Sequence, residues 1–362
     1  MTLTFTKIVP VVLALLFFSD IYAQNVDIPQ SSQRGAVSQR LGLSYITIEY
    51  SSPNVRDRAI FGGLVPYGSP WGAGDRENTT IQFEHDALLE GQEIKAGKYG
   101  LFMIPDEDHF VILLSKYHES WSQTYPTEQE TVLKVSVAPQ EIPHREWLTY
   151  DFIDKSSKIL TAALEWENTQ VPFTIEILNP NDVLFESLKA EVKGRGQFLW
   201  GANYDAAVAL FSRNIHLDQA LEWVDASLAL EPKGNPNWRR GLSLYIKSRI
   251  IINKEGYNTE AKNLMHEAIT LIEHPSELNR AVYILLENGD TKKAIEAATK
   301  LVSDHSQHPS IWAFMDSLAE THLEDGNKKQ ALHYYKKARS MAPENQHEYF
   351  DSVIASIENN ND

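Results

Sequence analysis

Between Leu41 and Ile177 apolar and polar side chains alternate with a period of two. Runs of this kind are Leu43/Tyr45/Thr47/Glu49, Tyr99/Leu101/Met103, Phe110/Ile112/Leu114 and Leu133/Val135/Val137. Leu148/Tyr150/Phe152, Leu160/Ala162/Leu164/Trp166 and Val171/Phe173/Ile175/Ile177 continue the series. Such alternation marks strands with one face in a core and one in solvent. Turn signals separate the runs at Ser52-Pro53-Asn54, Glu90-Gly91-Gln92, Pro105–Asp108, Ala138-Pro139 and Glu167-Asn168-Thr169. No stretch here keeps a helical period long enough for a crossover helix, so about eight or nine short strands are expected in an antiparallel β-sandwich.

From about Phe185 the period lengthens to 3.6 and Ala and Leu replace β-branched residues. A cassette is clearest in its last copy, where Leu318-Ala319 is followed by Gly326, Ala331, Tyr335, Ala338 and Pro343. Its first second-helix alanine recurs as Ala220, Ala261, Ala294 and Ala331, at spacings of 41, 33 and 37 residues. Gly256, Gly289 and Gly326 fall where inter-helix turns are expected, and Pro232, Pro275 and Pro343 where copies close. The offsets resemble tetratricopeptide-type repeats, whose period is about 34 residues. A small residue lets paired helices approach closely, and each pair leaves an apolar face only a neighbour can bury. The alternative is a plain helical bundle.

The strand-rich half carries a recognisable series of motifs. Ile60-Phe61-Gly62-Gly63-Leu64-Val65-Pro66-Tyr67-Gly68 leads to Pro70-Trp71 and Thr79-Thr80-Ile81. Gly91, then Ala96-Gly97-Lys98-Tyr99-Gly100-Leu101-Phe102-Met103-Ile104-Pro105, and later Trp121 and Tyr125 follow. Together they resemble an uncharacterised bacterial envelope family known as domain of unknown function 2911. The resemblance covers roughly Leu41 to Ile177 and implies a β-rich exported domain, often followed by helical repeats; it implies no reaction. The family pattern places Arg, Gly and an Ala-Asn-Glu triplet after the tryptophan. Here Gly72 follows Trp71, and the triplet position reads Asp75-Arg76-Glu77, so only Glu77 matches.

The first residues change the picture of where the protein works. Lys7 precedes an apolar run, Ile8 to Phe18, broken only by Pro10, and Ala23 offers a cleavage point before Gln24. A helix of that length spans about 16 Å, roughly half a bilayer core, so a cleaved signal peptide is expected rather than an anchor. The alternative is a buried N-terminal helix. Localisation is therefore read as periplasmic or secreted, with no integral membrane segment after cleavage. The chain reads as a multidomain α+β protein: leader 1–23, flexible segment 24–40, β-sandwich-like domain 41–180, tetratricopeptide-like solenoid 181–350 and tail 351–362.

Composition narrows the chemistry. There is no cysteine, which removes disulfides, thiolate nucleophiles and Cys-based metal sites. Formal charge is −16; residues 1–180 hold 13 Lys+Arg against 23 Asp+Glu (−10), and 181–362 hold 20 against 26 (−6). With no basic stripe in either half, nucleic acid is excluded as a partner, and anionic membrane surfaces are disfavoured. No HxH, HExxH, GxSxG, SxxK or phosphate-loop pattern is present, so neither a metal nor a cofactor is expected.

Two readings of function remain. The first is a non-enzymatic protein binding a small polar ligand or a protein. Its β-domain site would use Trp71, Asp75, Arg76 and Glu77, and its repeat would use the stripe Asp316, Glu320 and Glu324 for a basic or amine-bearing partner. That stripe reads equally as a solvated helix face. The second is a glycan-acting hydrolase built on loop carboxylates among Asp75, Glu77, Asp106, Glu107 and Asp108, which requires two of them within about 10 Å.

Overall fold

The protein is seen here as a computed structural model that describes residues 31–119, 124–230 and 238–359. The expected leader with its Ala23 site, Trp121 and Pro232 lie outside the described residues. The chain divides into two compact units, Met1–Leu178 and Asn179–Asp362.

The first unit is a sandwich of two antiparallel sheets. The strands are β1 (Gln33–Leu41), β2 (Ser44–Ser52), β3 (Thr80–Phe83), β4 (Ala87–Leu89), β5 (Gln92–Ile94), β6 (Gly97–Pro105), β7 (Phe110–Ser115), β8 (Thr131–Val137), β9 (Gln140–Lys155) and β10 (Ile159–Ile177). One sheet runs β1-β2-β3-β6-β7-β8 and the other β5-β4-β10-β9. Ile81, Leu101, Met103, Ile112, Leu114, Leu133 and Val135 of the first meet Tyr150, Leu164, Trp166, Val171 and Phe173 of the second in one buried cluster. The alternation reaches the core as expected in β8, where Leu133, Val135 and Val137 are buried while Val132, Lys134 and Ser136 are exposed.

Three details differ from the sequence reading. In β2 the buried side chains are Ile46, Ile48 and Tyr50, so the phase is opposite to the Leu43/Tyr45/Thr47/Glu49 run. Two isoleucines outweigh a tyrosine in what burial gains, and Tyr45 instead lies under the Arg40 guanidinium. Residues 33–40, expected within the flexible segment 24–40, belong to β1, which pairs along the full length of β2. Glu167-Asn168-Thr169 does not turn the chain: β10 runs through it with register shifts against β9 and a positive φ of 54° at Glu167. It is a bulge, which signals itself in sequence much as a turn does.

The second unit consists of α1 (Pro180–Lys193), α2 (Trp200–Ser212), α3 (Leu217–Ala229), α4 (Trp238–Glu255), α5 (Thr259–Leu271), α6 (Pro275–Glu287), α7 (Thr291–Asp304), α8 (Ile311–Glu324), α9 (Lys328–Met341) and α10 (His347–Asn359). The pairs are α2/α3, α4/α5, α6/α7 and α8/α9. Ala220, Ala261, Ala294 and Ala331 open the second helix of each pair and are all fully buried. The absence of side-chain bulk is what lets the two backbones approach. Gly289 and Gly326 end the first helices with φ of 72° and 76°, the left-handed conformation that lets the chain reverse at once. Asn214, with φ of 54°, does the same in the first pair. Asn258 and Asn327 cap the next helices by accepting from the N–H of Ala261 (2.9 Å) and Gln330 (3.2 Å). The helical part extends beyond the expected boundary at 350: α10 continues to Asn359 because Phe350 and Ile357 are buried against the preceding pair.

Ala331→Leu should therefore lower stability by about 1–3 kcal/mol in urea unfolding, as overpacking of a close helix seam does. A variant as stable as the parent would show that the seam is not tight.

Candidate functional site

Residues 52–56 and 66–80 build a cleft at one edge of the β unit. Beyond β2 the chain leaves its own sheet and pairs with β9: Leu148 N–H donates to Pro53 O at 2.9 Å, Val55 N–H to Glu146 O at 2.8 Å, and the Ser52 hydroxyl to Leu148 O at 2.7 Å. That pairing carries Arg56 and Arg58 to the cleft wall. The second segment follows β6 upstream of β3. Trp71 and Met103 exchange backbone hydrogen bonds at 2.8 and 2.9 Å, and Gly68 N–H donates to Pro105 O at 2.9 Å. Inside this loop the Ala73 carbonyl accepts from both the Thr79 hydroxyl (2.9 Å) and the Tyr150 hydroxyl (3.0 Å). Tyr150 is wholly buried, and desolvation holds its hydroxyl well above the ordinary phenol range, so it remains a donor.

The cleft encloses about 350 Å³ and is lined by Arg56, Arg58, Trp71, Asp75, Tyr125 and Trp166, among others. Trp71 is half-buried and packed on the core. It stacks on Trp166 at 5.8 Å between ring centroids with 19° between planes, and Phe61 meets it edge-on at 5.8 Å. Its indole N–H donates to Gly74 O at 3.1 Å. Asp75 accepts from the Ser32 hydroxyl at 2.5 Å and lies 3.8 Å from Arg76 Nε.

The four residues singled out around Trp71 thus separate. Trp71 and Asp75 line the cleft; Arg76 stands beside Asp75 as its ion partner. Glu77 is 69 % exposed and 3.6 Å from Arg34, in a second hollow with Asn78, Thr80, Lys98 and His118. The separation follows from positive φ at Ala73 (51°) and Arg76 (60°), which turns the loop twice within four residues. Asp106, Glu107 and Asp108 sit in the β6–β7 turn, with Asp108 paired to His109 at 2.6 Å. Among the described residues Asp75 is the one carboxylate that lines the cleft, so the paired acids of a glycosidase do not converge there. Arg56, Arg58 and Trp166 were not singled out from sequence. The tryptophan reads as ordinary core in its strand, and the arginines follow a turn signal with no spacing that marks a site.

In the helical unit Asp316, Glu320 and Glu324 all lie on α8. Asp316 and Glu320 are half-buried and Glu324 is exposed. Burial, reinforced by the Glu320 charge, raises the Asp316 carboxyl to about 6, and the Tyr349 hydroxyl donates to it at 3.4 Å. Tyr283 shares a hydrogen bond with Ser317 at 3.1 Å; burial pushes the hydroxyls of Tyr283 and Tyr349 up to about 12. Among the described residues no Lys or Arg pairs with Asp316, Glu320 or Glu324. Further along the first helices lie Trp200 stacked on Tyr204 at 5.1 Å, with the Arg239 guanidinium 5.3 Å over Trp200. Among the described residues no three His, Asp or Glu are placed to hold a metal, and no helix is long and apolar enough to cross a membrane.

The architecture is that of a β-sandwich unit and a unit of paired helical repeats. Residues 32–175 match the family described as "Protein of unknown function (DUF2911)", so the resemblance read from the sequence motifs holds over the β unit. No curated protein matches the chain. Solved structures with some likeness include YrrB, described as a TPR protein with an unusual peptide-binding site (17 % identity, 49 % of this chain, 87 % of that one, TM-score 0.36). MamA (17 %, 43 % and 85 %, 0.34) and a thermophilic TPR protein of Thermus thermophilus (17 %, 48 % and 88 %, 0.32) are others. At such scores the repeat assignment rests on the helix pairs themselves.

Thr79→Val with Tyr150→Phe should cost more than the two single changes added, by about 0.5–3 kcal/mol, because only the double variant leaves the Ala73 carbonyl buried without a donor. Chemical denaturation of the four proteins checks this; strict additivity would mean that the carbonyl finds another partner.

Proposed function

We propose that the protein is a non-catalytic binding protein whose helical repeat docks a partner segment on its first-helix face, with a cationic side chain of that segment set between Asp316 and Glu320. The observation that carries this reading is the pair itself: two carboxylates, half-buried one turn apart among tyrosine hydroxyls, with no cation paired to either among the described residues. Burying a carboxylate beside another costs free energy that a well-packed helix face would not retain without a counter-charge. An incoming ammonium or guanidinium supplies one and draws the Asp316 carboxyl back down. Aromatic side chains further along the first helices give the rest of a segment apolar contact.

The same reading places the protein outside the cytoplasm, supported by Lys7, the apolar run Ile8–Phe18 and the small residue Ala23. N-terminal sequencing of protein recovered from the periplasm or medium should begin at Gln24; recovery from the cytoplasm with Met1 intact would contradict export.

Asp316 gives a stability test with a definite sign. Its value rises from 3.8 to about 6 on folding, so the folded chain holds the proton more tightly than the unfolded one. The associated stability is fully present below the lower value and is lost as pH rises through the upper one. Asp316→Asn should therefore unfold at a higher temperature than the parent at neutral pH, with the gap narrowing in mild acid. For binding, a labelled alanine-rich peptide with one central lysine should bind more tightly than its norleucine counterpart, and Asp316→Asn with Glu320→Gln should erase the difference. Equal binding of both peptides to the parent would rule out the docking role.

A further inference from the structure

The cleft of the β unit holds a buried donor without an acceptor and two guanidinium groups that pair with no carboxylate among the described residues. Trp166, 1 % exposed, forms part of its wall, and its indole Nε1 has no acceptor among the described residues. A buried N–H left unpaired costs about 1–3 kcal/mol, so such a group in a cleft wall marks a missing acceptor. Arg56 lines the same cleft; its backbone N–H donates to Glu146 at 3.0 Å, while its guanidinium pairs with no carboxylate among the described residues. Arg58 is held in place: Nε donates to Val55 O at 2.9 Å and Nη2 to Asn54 O at 2.6 Å, and Nη1 has no partner in the described residues. The opposing charge is small. Asp75 is the one acid in the described lining and already stands 3.8 Å from Arg76, while Asp57, between the arginines in sequence, does not line the cleft. In a chain of net charge −16, this is a local surplus of cations around an aromatic floor.

We infer that this cleft binds a small ligand through an oxyanion group, a carboxylate or phosphate held by Arg56, Arg58 and the Trp166 indole, with the ligand's apolar part against Trp71. The chemistry is complementary on each count. An oxyanion accepts several hydrogen bonds at once, guanidinium groups donate to it in pairs, and a planar apolar group packs on an indole face. A volume of about 350 Å³ accommodates a metabolite-sized molecule and not a folded partner. Its described lining lies wholly within the β unit.

The test uses the full chain labelled with ¹⁵N, with the Trp166 indole resonance assigned through Trp166→Phe. Inorganic phosphate and benzoate are titrated separately, with benzamidine as a cation of the same ring shape. Phosphate or benzoate should move the Trp166 indole signal saturably, and the tighter of the two identifies the headgroup. Arg56→Ala, a change at an exposed position, should weaken that binding by about tenfold or more, the worth of a charge-assisted hydrogen bond, while Asp316→Asn leaves it unchanged. The inference is overturned if neither anion moves the signal saturably, if benzamidine moves it as well as benzoate does, or if Arg56→Ala binds as tightly as the parent.

Discussion

The β unit's cleft depends on how one buried carbonyl is satisfied. Ala73 is fully buried with a positive φ of 51°, so its carbonyl turns inward where water cannot reach it. A buried C=O must find donors, and here Thr79 supplies one from the same loop and Tyr150 another from β9. Thr79 closes the loop on itself, and Tyr150 ties it to the opposite sheet. With that atom fixed, the loop has little choice of path: Trp71 is joined to Met103 on one side, and Asp75 emerges at the cleft wall on the other. Gly74 belongs to the same constraint, because a β-carbon there would lie 2.6 Å from the Thr79 hydroxyl.

The helical unit is organised by a different constraint, the absence of side-chain bulk. Fully buried alanines at the start of each second helix draw the pairs together and stack them into one apolar cluster. The first helices then carry the polar and aromatic groups the core cannot take. Asp316 and Glu320 of α8 lie near Tyr283 of α6, and Tyr349 of α10 donates to Asp316. Asp316 and Glu320 are thus half-buried with no paired cation among the described residues.

Much of this was legible in the sequence. Period-two runs located most of the strands, and the alanine and glycine cassette located the helix pairs, because both patterns are direct images of which side chains face a core. The phase of β2 was not legible, since Ile46 and Tyr45 both satisfy an apolar pattern and only packing separates them. Nor was the division of Asp75 from Glu77, which depends on backbone angles at Ala73 and Arg76 that residue type does not announce. The arginines escaped notice for a related reason. Their place at the cleft follows from residues 53–55 crossing to pair with β9, a long-range contact that leaves no local spacing behind. Trp166 was identified as a strand residue, but an unpaired indole N–H is a property of its neighbours and not of the tryptophan.

The cleft's shape is fixed by the protein's own hydrogen bonds. Backbone hydrogen exchange of the ligand-free chain tests this most directly, at the amides of Trp71 and Met103. Both amides should be protected as well as the central strands β6 and β7, since they are tied into the sheet and released only when it opens. Exchange of the Trp71 amide at the rate of a free surface loop would contradict it.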